Sequence, residues 1–144
     1  SPPLGRCACC LLPGADLRRA IEDELARHGA TAAFVLAGIG SLQPACIRLA
    51  GAAEPMRLDG ALELLTLSGS VATNAAHLHL SVADAQGKVT GGHAAYGCIV
   101  RTTAELLLLP LPGWDFAREP DPTSTRVTVE APAPVAALRT GSAR

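Results

Sequence analysis

The stretch from His77 to His93 constrains the fold most, because it holds three of the four histidines in the chain. His77 and His79 alternate with leucines, and this period of two residues is typical of a half-buried β-strand. A turn signal at 84–87 ends in glycine, and a second extended run at 88–90 follows it. Two strand-like runs around a short turn predict a β-hairpin, which brings the third histidine back towards the first two.

The length of the hairpin loop decides which face of the sheet His93 occupies. A three-residue loop at 85–87 places His93 opposite His79, whereas a two-residue loop at 86–87 moves it onto the other face. The sequence leaves both registers open. In the first register, a strand rise of about 3.3 Å per residue separates the Cα atoms of His77 and His79 by about 7 Å. His93 then lies about 5 Å across from His79.

Three imidazoles that converge in this way can hold one divalent ion and leave a coordination position open. Gly91 and Gly92 precede His93 and indicate a bulge or a close backbone approach, either of which re-aims the ring. The alternative interpretation is that the histidines are polar residues on a solvated strand face. The residues alone leave both interpretations open.

Length and composition set the broad class of the protein. A chain of 144 residues predicts one domain with a core of its own, and an aromatic content of 3% requires that aliphatic side chains build this core. A net charge of −1 gives no support for a surface that grips nucleic acid. No apolar run approaches the roughly 20 residues of a membrane span. No signal peptide is expected either, so the cytoplasm is the predicted location.

One helix stands out in the first third of the chain. Asp16 is the predicted N-cap, Leu17, Ile21 and Leu25 share one face, and Gly29 marks the end. We expect the charged residues of the other face to form a solvated surface. They are Arg18, Arg19, Glu22, Asp23 and Arg27.

The remaining patterns predict a sheet. Besides the hairpin, strands are expected at 7–12, 31–37, 45–49, 61–68, 97–101, 103–109 and 125–129. The glycines at 38–41 predict a tight turn or bulge after the second strand, and 69–76 is expected to be a connection. One helix with seven or eight strands predicts an α+β fold, with the helix packed on a largely antiparallel sheet. Its many apolar strand faces also indicate an interface between subunits.

Cysteines and isolated charged residues offer weaker signals. Cys46 and Cys98 lie in apolar runs and are expected to be small buried residues. The N-terminal cluster of Cys7, Cys9 and Cys10 does not match a structural zinc spacing, which favours a reduced first strand over a metal or redox site.

Three other residues have local interpretations. Glu105 is expected at the surface or behind a histidine ligand, since a metal-bound imidazole usually donates its other N–H to a carboxylate or carbonyl. Glu63 lies among leucines and must be paired or at an edge if it is buried. His28 is expected to serve the helix terminus.

Several separate motifs, in the right order, resemble the plant and prokaryote conserved (PPC) domain over about residues 6–129. The likeness rests on 12–17, 33–41, 62–69, 77–81, 91–93, 97–100 and 103–105. The resemblance implies an α+β domain that assembles as a homotrimer. It supports a metal site at His77, His79 and His93, which the prokaryotic single-domain members keep. Residues 130–144 are expected to be a flexible tail.

Three functions follow as expectations. The first is a homotrimeric binding or interaction module with a divalent ion, best zinc, on the three histidines. The alternative is a metal-dependent enzyme that uses a zinc-bound water, with Glu63 or Glu105 as its base. DNA binding follows only by analogy with plant members, whose AT-hook carries Arg-Gly-Arg-Pro. This sequence contains no such motif.

Overall fold

The computed structural model describes residues 7–117 and the backbone of Arg139–Thr140. These residues form one helix and ten strands. In chain order they are β1 (Cys7–Leu11), α1 (Leu17–Arg27), β2 (Ala32–Leu42), β3 (Ala45–Arg48), β4 (Met56–Leu58), β5 (Leu62–Ala72), β6 (Ala76–Ala83), β7 (Val89–Ala94), β8 (Val100–Pro110), β9 (Trp114–Asp115) and β10 (Arg139–Thr140).

Eight strands form a single sheet in the order β1-β8-β2-β5-β6-β7-β3-β4, and β10 pairs with β9. Every pairing in the sheet is antiparallel. The predicted α+β class, with one helix packed on a largely antiparallel sheet, is therefore confirmed. No helix in the described part of the chain is long and apolar enough to cross a membrane.

The helix begins where its capping residue predicts. Asp16 Oδ1 accepts a hydrogen bond from the backbone N–H of Arg19 at 3.2 Å. Leu17, Ile21 and Leu25 are buried in the main core, as their spacing predicts. Arg18, however, is 3% exposed, so its prediction as a solvated residue is wrong. Its position beside the buried Leu17 carries it into the interior.

Glycines run through the two central strands instead of ending them. The predicted break at 38–41 is wrong, because β2 continues to Leu42. A Cβ atom on Gly38 would lie 2.9 Å from Leu67 Cδ2, and one on Gly40 would collide with the backbone of Thr103. These glycines let neighbouring chain segments approach closely. The pairing of β2 with β8 is also irregular between Gly40 and Leu42, so the alternative of a bulge is closer to the structure.

The fifth strand is longer than predicted and changes face. It extends to Ala72, through much of the expected connection at 69–76. A register irregularity between Leu64 and Thr66 follows the buried Leu64. Thr66 is therefore exposed and Leu67 buried, so the strand does not alternate regularly between its two faces. The strand predicted at 97–101 begins only at Val100 and continues without a break through 103–109, so both predictions fall on one strand, β8.

The end of the described segment is anchored by an aromatic ring. Phe116 is buried in a small cluster with Ala32 and Ala72, and Trp114 packs against that cluster. These aromatic contacts hold the irregular segment that follows β8 against the sheet. The predicted strand at 125–129 lies outside the described residues, and so does the tail at 130–144, apart from β10.

All five cysteines are free. Cys98 is fully buried, and its Sγ accepts from Cys46 N and donates to Cys46 O, both at 3.3 Å. Burial raises the pKa of the Cys98 thiol to about 11. Cys98 is therefore the buried residue that its apolar run predicts, whereas Cys46 is half-buried.

Candidate metal centre

The hairpin of β6 and β7 places the three histidines on one face of the sheet. His79 pairs directly with His93, so the register is the one that a three-residue loop predicts. Asp84 fixes this loop, because its Oδ1 accepts hydrogen bonds from the backbone N–H groups of Gln86 and Lys88, each at 2.9 Å. The turn chemistry of one aspartate thus decides which side of the sheet His93 occupies.

The three rings form a compact triangle. The ring centroids are 4.9 Å apart for His77 and His79, 5.4 Å for His77 and His93, and 6.1 Å for His79 and His93. One nitrogen from each ring lies within 4.8 Å of the other two. Two nitrogens bound to one tetrahedral zinc lie about 3.4 Å apart, given Zn–N bonds of about 2.0–2.1 Å. The three nitrogens must therefore move closer together to bind one zinc ion.

The buried His93 sets the chemistry of the cluster. It is 6% exposed, while His77 is half-buried and His79 is exposed. Neither Nδ1 nor Nε2 of His93 has a hydrogen-bond partner. Burial first, and then the charges of Arg18 and Arg48, lower its pKa from 6.5 to about 3. The ring is therefore neutral at neutral pH, which is the form that binds a metal ion.

Gly92 brings the neighbouring strand β3 close to the histidines. A Cβ atom there would lie 2.7 Å from the carbonyl oxygen of Arg48 and 2.9 Å from Ile47 Cγ2. Of the two outcomes that the glycine pair predicted, the structure has the close approach. The pairing of β6 with β7 runs without a register shift. This approach places Arg48 directly across from His93.

Two arginines that the sequence did not assign to the site, the buried Arg18 and the half-buried Arg48, have buried nitrogen atoms without hydrogen-bond partners. Five buried side-chain nitrogen atoms in the described residues lack a partner, and they belong to Arg18, Arg48 and His93. Arg48 donates through Nη1 to Ala52 O at 3.4 Å, but its Nε is unpaired. The Arg18 guanidinium stacks on the Tyr96 ring at 4.3 Å, while its Nε and Nη1 are unpaired. No sequence pattern marked Arg18, since its helical neighbours 19, 22 and 23 are also charged.

A hydrogen-bonded link ties the helix to the start of β6. Tyr96 Oη donates to Glu22 Oε1 at 2.6 Å, and Glu22 Oε2 accepts from the backbone N–H of Ala76 at 3.1 Å. Burial, and then the bond to Glu22, raise the pKa of Tyr96. The prediction that Glu22 belongs to a solvated face is therefore wrong, because it anchors the residue that precedes His77.

The two carboxylates considered as a catalytic base lie away from the histidines. Glu63 and Glu105 are both exposed. Glu63 pairs with Ala83, at the far end of β6, and Glu105 lies on β8, which β2 and β5 separate from β6. Neither belongs to the group of ligand atoms formed by the histidines.

His28 is the C-cap residue of α1, and its N–H donates to Glu24 O at 3.1 Å, so its predicted role at the helix terminus is confirmed.

Comparisons with known proteins agree with this architecture. A family model for the Plants and Prokaryotes Conserved (PCC) domain matches residues 3–112. The bifunctional protein GlmU of Synechococcus sp. (strain JA-3-3Ab) is 46% identical over 114 residues, which are 79% of this chain and 18% of that protein. The chain thus spans about a fifth of the length of the curated relatives it matches.

Solved structures share the fold. A hypothetical protein from Salmonella cholerae-suis is 35% identical with a TM-score of 0.78, over 82% of this chain and 86% of that one. The metal-containing protein AF0104 from Archaeoglobus fulgidus is 30% identical with a TM-score of 0.69, over 82% and 87%. A neighbour from Bacteroides thetaiotaomicron, named as a candidate DNA-binding protein, is 15% identical with a TM-score of 0.72, over 81% and 85%, and supports the fold alone.

Proposed function

The chain belongs to the Plants and Prokaryotes Conserved domain family, and we propose that it is a homotrimeric binding module in which His77, His79 and His93 hold one divalent metal ion. The observation that carries the proposal is His93. A buried imidazole with both nitrogens unpaired is costly, and a metal ion that binds one of them removes part of that cost. We assign the domain to residues 6–129.

Zinc suits the ligand set best. Three neutral imidazoles favour zinc among the divalent ions of cells and leave one coordination position for another ligand. AF0104, which is 30% identical, is named as a metal-containing protein, and this supports a metal site in the present chain without naming the metal. The use of that position for water activation, as in a metal-dependent enzyme, stays a prediction, because Glu63 and Glu105 lie away from the histidines.

The ligand of the open position is a small oxyanion, such as a carboxylate or a phosphate group. Arg18 and Arg48 present unpaired N–H donors in the buried region around His93. A buried guanidinium without an acceptor is unfavourable, and its planar fork of N–H donors matches two oxygens of a carboxylate or a phosphate group. The metal ion and the two arginines would share the negative charge of such a ligand.

The outer face of the central strands supports self-association. Phe34, Leu36 and Ile39 on β2 and Leu65 on β5 are all exposed, and Ile39 is 56% exposed. A cluster of large apolar side chains on neighbouring strands is typical of a protein interface. A second and third copy of the chain are the partners that we propose for it.

DNA binding ranks below the metal-binding module. The chain has a net charge of −1 and a single lysine, and it lacks the Arg-Gly-Arg-Pro motif of an AT-hook. The named DNA-binding neighbour is too distant in sequence to carry a function. Location in the cytoplasm remains a prediction.

Metal analysis tests the proposal. The protein is purified without an affinity tag or added metal, and its ion content per chain is compared with that of His79→Ala. We expect His79→Ala to lose about one ion per chain. Ser81→Ala is the matched control, since Ser81 follows His79 on the same face of β6 and should keep the ion. Equal metal contents in wild type and His79→Ala, before and after zinc titration, would refute the site.

A further inference from the structure

Two of the N-terminal cysteines face the helix. Burial alternates along β1, so that Cys7 and Cys9 pack against the main core, while Cys10 is exposed on the opposite face. The two inward sulfur atoms are 3.1 Å apart. Because β1 is an edge strand of the sheet, the pair lies at the rim of the core and not in its centre.

The last turn of α1 completes a cluster around these sulfurs. Glu24 and His28 are four residues apart and share one helix face. Glu24 Oε1 is 3.8 Å from Cys7 Sγ and 3.1 Å from His28 Nε2. One ligand atom from each of Cys7, Glu24 and His28 lies within 4.8 Å of the other two.

We propose that Cys7, Glu24 and His28, with Cys9 as fourth ligand, form a second metal site that takes a thiophilic divalent ion such as zinc. Thiolate, imidazole and carboxylate are the three ligand types that zinc uses in proteins, and four of them complete a tetrahedral shell. The site is separate from the histidine centre, because β8, β2 and β5 lie between β1 and β6 in the sheet.

Ion pairs between neighbouring residues of the helix surface explain only part of this cluster. Glu24 forms ion pairs with Arg27 at 3.3 Å and with His28 at 3.1 Å, as helix neighbours often do. Those pairs do not explain why the Cys7 thiol also contacts this carboxylate while a second thiol, that of Cys9, lies 3.1 Å from the Cys7 sulfur. A bound divalent cation does explain it, since the thiols would release their protons to solvent and bind as thiolates. Arg27 would then offset the remaining negative charge.

Sequence spacing did not reveal this group. The cysteines follow a Cys-x-Cys pattern on a strand, and the other two ligands are four residues apart on a helix. Only the tertiary fold, which places Glu24 of α1 beside Cys7 of the edge strand, brings the two pairs together. This inference does not depend on the function proposed for the histidine centre.

Cobalt titration of the reduced, metal-free full chain tests the proposal. Cobalt(II) bound to thiolate gives a sulfur-to-cobalt charge-transfer absorption, and the histidine centre contains no sulfur. We therefore expect this absorption to saturate at about one cobalt per chain at the cysteine site. Cys7→Ser removes one of the two thiolates and should at least halve the absorption, and Cys10→Ser should leave it unchanged, because Cys10 is on the other face of β1.

A second variant covers the possibility that Cys7→Ser does not fold. His28 is exposed, so His28→Ala should fold. It should keep the absorption but bind cobalt at least about tenfold more weakly. The proposal is overturned if the wild type gives no sulfur-to-cobalt band, if a folded Cys7→Ser keeps the band at full intensity, if Cys10→Ser removes it, or if His28→Ala binds cobalt as tightly as the wild type.

Discussion

Arg48 lies directly opposite His93 across β3 and β7, so a permanent positive charge borders the buried imidazole. The pairing has two consequences. It helps to keep His93 neutral, and it leaves an unpaired guanidinium nitrogen in the same buried region. Both favour a site in which the ring binds a cation and the arginine binds an anion.

The first prediction concerns acid stability of the metal-free chain. His93 has a pKa of about 3 when folded and an ordinary value near 6.5 when unfolded. Between these values the unfolded state binds a proton that the folded state does not. The free energy of unfolding should therefore fall as the pH drops from 6.5 towards 3, by at most about 1.4 kcal/mol per pH unit from this residue.

Urea unfolding in the presence of a chelator measures this effect. His93→Gln keeps a polar side chain but has no proton to gain, so its stability should decline less steeply over the same pH window. His28→Gln provides the control and should follow the wild type. Identical pH profiles for the wild type and His93→Gln would contradict the prediction.

A second prediction separates stability from ligand binding at Arg18. Replacing this buried arginine by methionine removes an unpaired charge while keeping most of the side-chain volume. Stability without phosphate should be unchanged or raised by up to a few kcal/mol, about the range seen when buried ionic groups are replaced by apolar ones. Phosphate should raise the Tm of the zinc-loaded wild type, and this rise should disappear in Arg18→Met.

The exposed Arg19 is the control for Arg18, because its guanidinium also lies over the Tyr96 ring, at 4.8 Å. Arg19→Met should keep the phosphate effect. Loss of stability in Arg18→Met together with an intact phosphate effect would show that the buried guanidinium is a packing residue and not an anion ligand.

Gly92 carries the third prediction. In Gly92→Ala the new methyl group would meet the carbonyl of Arg48, so β3 must move away from β7. Overpacking of this kind costs about 1–3 kcal/mol, and zinc affinity should fall as His93 shifts. Gly91→Ala has its nearest contact at 3.1 Å, with Leu80 O, and should cost less. Equal unfolding midpoints and equal zinc affinities for the two variants would rule this account out.

A fourth prediction tests the proposed trimer. Ile39 pairs with Glu105 across β2 and β8, so Ile39→Lys places a cation beside a carboxylate and should leave the isolated subunit folded. The same lysine would be desolvated in an interface formed by the β2 and β5 face. We expect sedimentation to reveal monomers for Ile39→Lys, and trimers for the wild type and for Val89→Lys, a control on β7 with the same 56% exposure. A trimeric Ile39→Lys would place the interface elsewhere.

The sequence correctly predicted the elements that are stabilised by contacts between residues close together in the chain. Asp16 and the spacing of Leu17, Ile21 and Leu25 were enough to locate the helix. The hairpin was also predicted. Its register was left as one of two alternatives, because the choice between them depends on the hydrogen bonds that the Asp84 side chain accepts in the loop. In each case the decisive contacts lie within a few residues along the chain.

What the sequence did not reveal depends on contacts between distant segments. Gly38 and Gly40 led us to predict that the strand ends there. In the structure they allow β2 to pass close to Leu67 and Thr103. Arg18 and Glu22 read as surface residues, although Tyr96, far along the chain, contacts both. The periodicity of a sequence indicates on which face of a helix or strand a residue lies. It does not indicate which other segments of the chain cover that face.

The loop that Asp84 closes also bears on the order of folding. All three histidines lie on one local hairpin, whereas β1 must find β8 with pairs such as Cys7 and Leu108 at opposite ends of the described segment. Isolated hairpins form in about 1–10 μs, and long loops are entropically slower to close. We expect the three rings to meet before the sheet is complete, so that an ion captured by the nascent hairpin would favour the later pairings.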